Sequence, residues 1–411
     1  MESWKSSELS DAARSMWAKS GDGQSWMPLH QHMIDSAEVG GRLWDDWAPE
    51  SLQRTLSSHT GLERDEVKAL LQWLAGTHDI GKASKWFASQ LDRRPEYAHY
   101  STRISGAGVP LRKSVEDVHR IPHGTASGII ITEWLADHFQ YTRQGAARVA
   151  AIADAHHGIP TTDTALLESA GFVLGDYQPE WFDVWDELLQ LLTTRTCAEP
   201  VLHKIAARKK KTLSTQSQLL LTGLVIMADW IASNQEAFPL GTDSAQAART
   251  DFGVNSIALT PPWRPLPLDD HGENMRDRFA WPAEAEPRPV QAALAGLAAE
   301  ATEPTLFIVE APTGEGKTEA ALTAAEYLAA RLGTGGVFFG APTMSTSDAL
   351  FTRISAWARR AVPQHDIASL FLGHSKAALN EDFAALRFSR IGESEGGNVI
   401  ASQWLSGRKK G

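Results

Sequence analysis

The spacing of apolar residues changes partway along this 411-residue chain, and the change coincides with a run of prolines. Pro261, Pro262, Pro265, Pro267, Pro282, Pro287 and Pro289 punctuate the stretch between residues 255 and 290. Proline fixes φ and lacks an N–H, so such a stretch reads as a linker between domains. Upstream of it the spacing is helical. Val67, Leu70, Leu71, Leu74, Ala75 and His78 follow the i, i+3, i+4, i+7 rule of a buried helix face, and Met33, Ala37, Gly40, Gly41 and Trp44 do so less cleanly. Gly128 to Phe139 and Leu219 to Ser233 predict further helices, whereas residues 97–121, rich in Ser, Gly and Arg, read as a long loop. Downstream, strand-like runs alternate with helical ones. Thr305 to Glu310, Gly336 to Gly340 and Ile367 to Leu372 predict strands, and Thr318 to Arg331, Thr346 to Ala361 and Lys376 to Arg387 predict helices. Such alternation means a parallel sheet faced by helices. The expected architecture is an all-α domain over residues 1–250, a linker over 251–290 and an α/β domain over 291–411.

Composition narrows the function classes. The chain is 43% apolar and 22% charged, which is ordinary for a globular protein. Its formal charge of −11 excludes a protein that coats nucleic acid through a global basic excess, so any nucleic-acid site is a local groove on an acidic body. The single Cys197 excludes a disulfide framework and cysteine-based zinc sites, and it suits a reducing cytoplasm. The first 30 residues lack the apolar core of a signal peptide. The longest apolar run, Leu219 to Ala232, is too short for a bilayer and contains Asp229. A cytoplasmic monomer without membrane partners is expected.

The histidines carry the first chemical signal. His32, His78 with Asp79, His123, and His156 with His157 sit in short polar motifs that interrupt apolar helices. Asp229 is the only ionisable group of its apolar helix, and a lone buried carboxylate is costly unless paired or bound to a cation. His78 ends an apolar face, so its imidazole points inward, and Gly81 lets the chain turn away after Asp79. Taken singly, each of these residues has an ordinary structural reading, such as a helix-end histidine or an ion-paired aspartate. Taken together, five His and two Asp make a nitrogen-and-oxygen ligand set suited to Mn, Fe, Co, Ni or Zn rather than Ca or Mg. Seven groups exceed one tetrahedral site and suit two bridged metals, the arrangement used for in-line displacement at phosphoesters.

The series His32-Met-Ile-Asp35, His78-Asp79-Ile-Gly-Lys82, His123, His156-His157 and Asp229 resembles the HD-domain metallohydrolases. It is most similar, over about residues 15–240, to the HD nuclease domain of the CRISPR-associated helicase-nucleases of type I systems. The resemblance implies two transition-metal ions. His32, His78, Asp79 and Asp229 would hold one, and Asp79, His123, His156 and His157 the other, with Asp79 bridging. Lys82 would sit beside them and stabilise a phosphate oxygen, and Asp79 and Lys82 are the expected catalytic residues. His30 fits the pattern less well.

A second signal lies past the prolines. Ala311-Pro-Thr313-Gly314-Glu-Gly316-Lys317-Thr318 falls between a predicted strand and a predicted helix, the context of a phosphate-binding loop. Lys317 would reach the β- and γ-phosphates and Thr318 the Mg²⁺; Ala311 stands in place of the usual first glycine. The form resembles superfamily 2 helicases. Pro287-Arg288-Pro-Val-Gln291 looks like their Q-motif, whose Gln reads adenine, and Ala341-Pro342-Thr343-Met-Ser-Thr346 like motif Ia. Gly373-His374-Ser375-Lys376 through Asn380 looks like the segment that follows in the CRISPR enzymes. No D-E-x-H motif follows within these 411 residues. The expectation is an N-terminal portion with an incomplete first RecA-like lobe, able to hold ATP weakly but not to hydrolyse it or translocate.

The resulting reading is a metal-dependent single-stranded DNA nuclease of antiviral defence, joined to part of a helicase. The resemblance implies recruitment by the Cascade surveillance complex and action on the displaced strand of an R-loop. Arg93, Arg94, Arg103, Arg112 and Lys113, with Trp86 and Phe87, are candidates for a single-strand channel. The rival readings are a phosphohydrolase acting on small nucleotides and a non-catalytic module that docks on Cascade.

Overall fold

The computed structural model describes residues 9–21, 25–92, 94–111, 121–175, 178–209, 211–241, 244–257, 259–363, 366–388 and 398–401. The chain divides into two compact units, one of Met1–Asp46 with Arg54–Ile257 and one of Trp47–Gln53 with Ala258–Gly411.

The first unit is almost entirely helical. A short helix α1 (Asp11–Ser15) leads into a two-stranded antiparallel ribbon, β1 (Trp17–Ser20) and β2 (Trp26–Pro28). Then follow α2 (Leu29–Arg42), α3 (Glu50–Thr60, whose first turn belongs to the other unit), α4 (Arg64–Thr77), α5 (Lys85–Ala88), α6 (His99–Gly106) and α7 (His123–Phe139). The unit continues with α8 (Arg143–Asp154), α9 (Asp163–Gly175), α10 (Pro179–Arg195), α11 (Glu199–Ala206), α12 (Thr215–Ala232) and α13 (Gln246–Ile257). Local chemistry sets many of the starts. Glu63 and Glu66 form a reciprocal capping box on α4, and the Thr142 and Ser214 hydroxyls cap α8 and α12. Helix α2 packs on α4, α7 on α8, and α12 lies against α2, α4 and α8. Leu29, Met33, Leu43, Trp44, Leu70 and Trp73 are fully buried among these helices. Trp73 also stacks at 6.2 Å on Trp134, and its indole N–H donates to the Thr193 hydroxyl at 2.9 Å. One buried ion pair crosses the interior: Arg249 Nε and Nη2 donate to the Asp35 carboxylate at 2.9–3.0 Å.

The long loop expected over residues 97–121 is in part a helix. Tyr100 and Ile104, four residues apart on α6, are both buried, and this i, i+4 anchor outweighs the surrounding Ser and Gly. Residues 112–120 lie outside the described residues, and with them Arg112 and Lys113, as does Arg93.

The second unit holds α14 (His271–Phe279), α15 (Pro289–Glu300), α16 (Lys317–Leu332), α17 (Met344–Ala361) and α18 (Glu381–Phe388). Helix α14 falls inside the proline-punctuated stretch and is fixed to α16 by the buried Glu326, which accepts from Arg278 Nε at 2.8 Å. Leu294, Ala295 and Ala298 of α15 pack on Ala320, Ala324 and Tyr327 of α16. A parallel pair, β3 (Ile367–Leu370) and β4 (Asn398–Ala401), is the only ladder among the described residues of this unit. The strands expected at Thr305–Glu310 and Gly336–Gly340 have no ladder partner there, and Leu306, Ile308 and Phe338 are more than four-fifths exposed. A strand exists only by pairing, so apolar residues alone do not make one. The described second unit is therefore mostly helical rather than a multi-stranded parallel sheet.

Candidate metal centre and phosphate loop

The histidines and aspartates singled out in the sequence arrive at helix ends, from five places in the chain. His32 lies in the first turn of α2, His78 caps the C-terminus of α4, and His123 opens α7. His156 and His157 form a single tight turn after α8, and Asp229 is in the last turn of α12. Gly158, at φ +100°, then turns the chain away in a conformation that favours glycine. Gly81 allows a close approach: a Cβ there would run into the His123 carbonyl oxygen and come within 2.6 Å of the Ser127 nitrogen. Its own N–H donates to the Ser127 hydroxyl at 2.8 Å, which fixes the Asp79 loop to α7.

Two ligand groups result. One donor atom from each of His32, His78, Asp79 and Asp229 falls within 4.8 Å of the others, and the same holds for His123, His156 and His157. The first group is buried; the second opens outward, with His156 buried, His123 half-buried and His157 exposed. Asp79 faces both. Its Oδ2 lies 3.0 Å from His32 Nε2 and 3.4 Å from His78 Nε2, and its Oδ1 lies 3.4 Å from His123 Nε2 and 3.5 Å from His156 Nε2. Asp229 Oδ1 sits 3.5 Å from His32 Nε2 and 3.4 Å from His78 Nε2 and accepts from the Ser233 hydroxyl at 2.8 Å.

The ring nitrogens are oriented from behind. His78 Nδ1 lies 2.6 Å from the Ala75 carbonyl and His156 Nδ1 2.5 Å from that of Ala153, so each ring turns Nε2 to the centre. His78 Nε2, His156 Nε2 and Asp79 Oδ1 are buried and have no hydrogen-bond partner among the described residues. Unpartnered buried polar atoms are costly, and convergent ones fit a bound cation. The donor set, imidazole with carboxylate and no thiolate, fits a divalent transition metal.

Electrostatics separates the two groups. Burial opposes charge on His78, but the Asp79 and Asp229 carboxylates outweigh it and push its pKa up to about 10. Burial likewise opposes charge on Asp79, yet Lys82, with Nζ 2.5 Å from Oδ2, and His78 hold it well below the usual carboxylate range. In the outer group burial dominates and lowers His123 to about 4 and His156 to about 3. Those rings are neutral at physiological pH, the form that binds metal.

Residues that sequence reasoning did not single out complete the surroundings. Lys19 on β1 donates to the Ala232 carbonyl at 2.9 Å, at the end of the helix that carries Asp229. Burial and the nearby Lys82 lower its pKa to about 8. A lysine in a polar stretch gave no signal of a partner 213 positions away. Asp35 belongs to the Arg249 pair and not to the centre, and His30 falls in neither ligand group. Of the channel candidates, Arg94 is exposed and Arg103 stacks over Trp26 at 3.9 Å.

The loop Ala311–Thr318 lines a cleft of about 590 Å³ that also meets Gln291, Trp281 and Arg353. Thr313, Gly314, Gly316, Lys317 and Thr318 all contribute to it. Gly314 and Gly316 have φ of +90° and +74°, which explains both glycines. Gln291 Nε2 donates to the Gly316 carbonyl at 3.2 Å. Lys317 opens α16 and its Nζ donates to the Ala311 and Pro312 carbonyls at 2.5 and 2.9 Å, folded onto its own loop.

Residues 17–238 match the family model described as "Cas3, HD domain". The chain is 30% identical to the CRISPR-associated nuclease/helicase Cas3 of Streptococcus thermophilus, over 96% of this chain and 44% of that protein. It is 29% identical to the CRISPR-associated endonuclease/helicase Cas3 of Thermus thermophilus, over 98% and 42%. The crystal structure of T. fusca Cas3 with AMPPNP superposes with a TM-score of 0.67 at 25% identity, over 96% of this chain and 42% of that one. The chain thus spans less than half the length of the curated relatives it matches. With the family model covering more than half of the chain, and with its histidines and aspartates gathered at helix ends, the protein belongs to the Cas3 family and carries that family's HD domain.

Proposed function

We propose that the HD unit is a two-metal phosphodiesterase that cuts single-stranded DNA. The observation that supports this best is the Asp79 carboxylate, with one oxygen turned to each histidine group. In this reading His32, His78, Asp79 and Asp229 hold one divalent ion, and Asp79, His123, His156 and His157 the other. Fe, Mn, Co or Ni suits the donors. Bound ions supply Lewis acidity and a nucleophilic water at neutral pH. The protein's own groups do the rest. Ala75 and Ala153 hold the imidazoles in the metal-binding tautomer, Ser233 orients Asp229, and Lys82 offers a cation to the phosphate. The half-buried His123 and the exposed His157 mark the side from which a strand enters.

The second unit is proposed as part of a RecA-like helicase lobe that binds ATP with Mg²⁺ through Gln291, Thr313, Gly314, Gly316, Lys317 and Thr318. Recruitment by Cascade to the displaced strand of an R-loop is proposed from the family, whose members include nuclease/helicases of CRISPR systems. The test is metal analysis of the purified chain together with its action on circular single-stranded DNA and on free nucleotides. Metal-dependent cleavage of the circle supports the reading. Hydrolysis of nucleotides alone would favour a small-molecule phosphohydrolase, and a metal-free inert protein would favour a docking module.

A further inference from the structure

Trp86 and Phe87 are adjacent on α5, and the structure separates their surroundings. The Trp86 ring faces Lys85, whose Nζ lies 4.6 Å from its centroid, and its indole nitrogen is buried. Phe87 faces the metal centre. Its ring lies 5.8 Å from the His123 imidazole at an interplanar angle of 73°, and the Lys82 ammonium lies 5.5 Å from its centroid. Behind it the buried Trp17 packs at 4.5 Å, and Tyr100 backs Trp17 at 4.9 Å. Phe87 itself remains only half-buried.

We infer that Phe87 is the stacking platform for the nucleobase next to the phosphodiester held at the His123–Lys82 side of the centre. The inference rests on the phosphodiesterase reading above and adds what the site recognises besides phosphate, namely the face of an unpaired base. Two neighbours of the ring are the residues assigned to a metal and to a phosphate oxygen, so a nucleotide placed there brings its base to within one side chain of Phe87. The ring is clamped from behind by Trp17, which fixes its plane at little entropic cost to a ligand. A base inside a duplex has both faces covered by its neighbours, so only an unstacked base can use the platform. Stacking on an aromatic ring tolerates any base, so the platform would impose no sequence preference of its own.

The experiment uses the full chain and synthetic oligonucleotides. Binding of a fluorescein-labelled single strand is followed by anisotropy in EDTA, so that no cleavage intervenes, and cleavage is mapped separately with Mn²⁺. Phe87→Ala should weaken binding about 5- to 150-fold, the range for loss of one base–aromatic stack. Phe87→Leu, which keeps apolar packing on Trp17, should weaken it similarly without lowering the melting temperature, and Phe87→Trp should restore it. A single abasic residue is then walked along the strand. In the wild-type protein it should suppress cleavage at the adjacent bond, and in Phe87→Leu that penalty should vanish. Equal abasic penalties in both proteins, or wild-type binding by Phe87→Leu, would overturn the assignment of Phe87. Wild-type protein that loads metal but cleaves no single strand would overturn the phosphodiesterase reading and the platform with it.

Discussion

Replacing Asp79 by Asn tests the centre at the point where its two halves meet. The substitution keeps the shape and removes one charge from a residue that is 1% exposed. Asp79 Oδ2 faces His32 and His78, and Oδ1 faces His123 and His156, all at 3.0–3.5 Å. An amide offers one weak oxygen ligand to one side and an N–H₂ group, which cannot ligate, to the other. Both ions should therefore be lost or bound far more weakly, whereas His123→Ala should spare the inner one. If the ions contribute about 5 kcal/mol of transition-state stabilisation, cleavage should fall roughly 10⁴-fold. The metal-free fold should lose less than the roughly 3–5 kcal/mol of a broken buried ion pair. His78, deprived of the carboxylate that raises its pKa, can shed its proton, and Lys82 is partly exposed and can turn to water. The assays are elemental analysis after loading with Mn²⁺, cleavage of circular single-stranded DNA, and thermal denaturation of the metal-free proteins. Full retention of both ions by Asp79→Asn, or a metal loss no greater than that of His123→Ala, would refute the bridging role.

Four further outcomes follow from the structure. His78, raised to about 10 by the two aspartates, is protonated at pH 8 in the metal-free protein, while His123 and His156 are already neutral. Loading should therefore release about one proton from His78, read by calorimetry in buffers of different ionisation enthalpy; release of none would contradict the assignment. Because its folded pKa exceeds the unfolded value near 6.5, His78 contributes stability that is present in full below about pH 6.5 and is lost as pH rises through 10. The metal-free protein should accordingly melt lower at pH 9.5 than at pH 7, and the loaded one should change less. Gly81→Ala drives a methyl into the His123 carbonyl and should cost about 1–3 kcal/mol in thermal unfolding along with outer-site metal; an unchanged melting temperature would contradict the close approach. Arg249→Met leaves the buried Asp35 carboxylate without its guanidinium and should destabilise by about 3–5 kcal/mol in urea titration, with Arg249→Lys intermediate.

The helices of the first unit were legible because helix formation is local. The spacing of Val67, Leu70, Leu71 and Leu74 and the apolar run before Asp229 state which face turns inward without reference to any distant residue. The metal-ligand candidates were legible as residue types, since histidines and a lone aspartate inside apolar helices have few inexpensive structural uses. What the sequence could not state was their convergence. That Asp79 turns one oxygen to each group depends on how α2, α4, α7, α8 and α12 pack, which no spacing encodes. The same holds for Lys19, whose partner is the end of α12, and for Phe87, which only the packing of Trp17 and α7 distinguishes from Trp86. Sequence reasoning failed most plainly at Thr305–Glu310 and Gly336–Gly340. A helix closes its own hydrogen bonds, but a strand borrows its partners from elsewhere in the chain, so apolar composition alone decides nothing about a sheet.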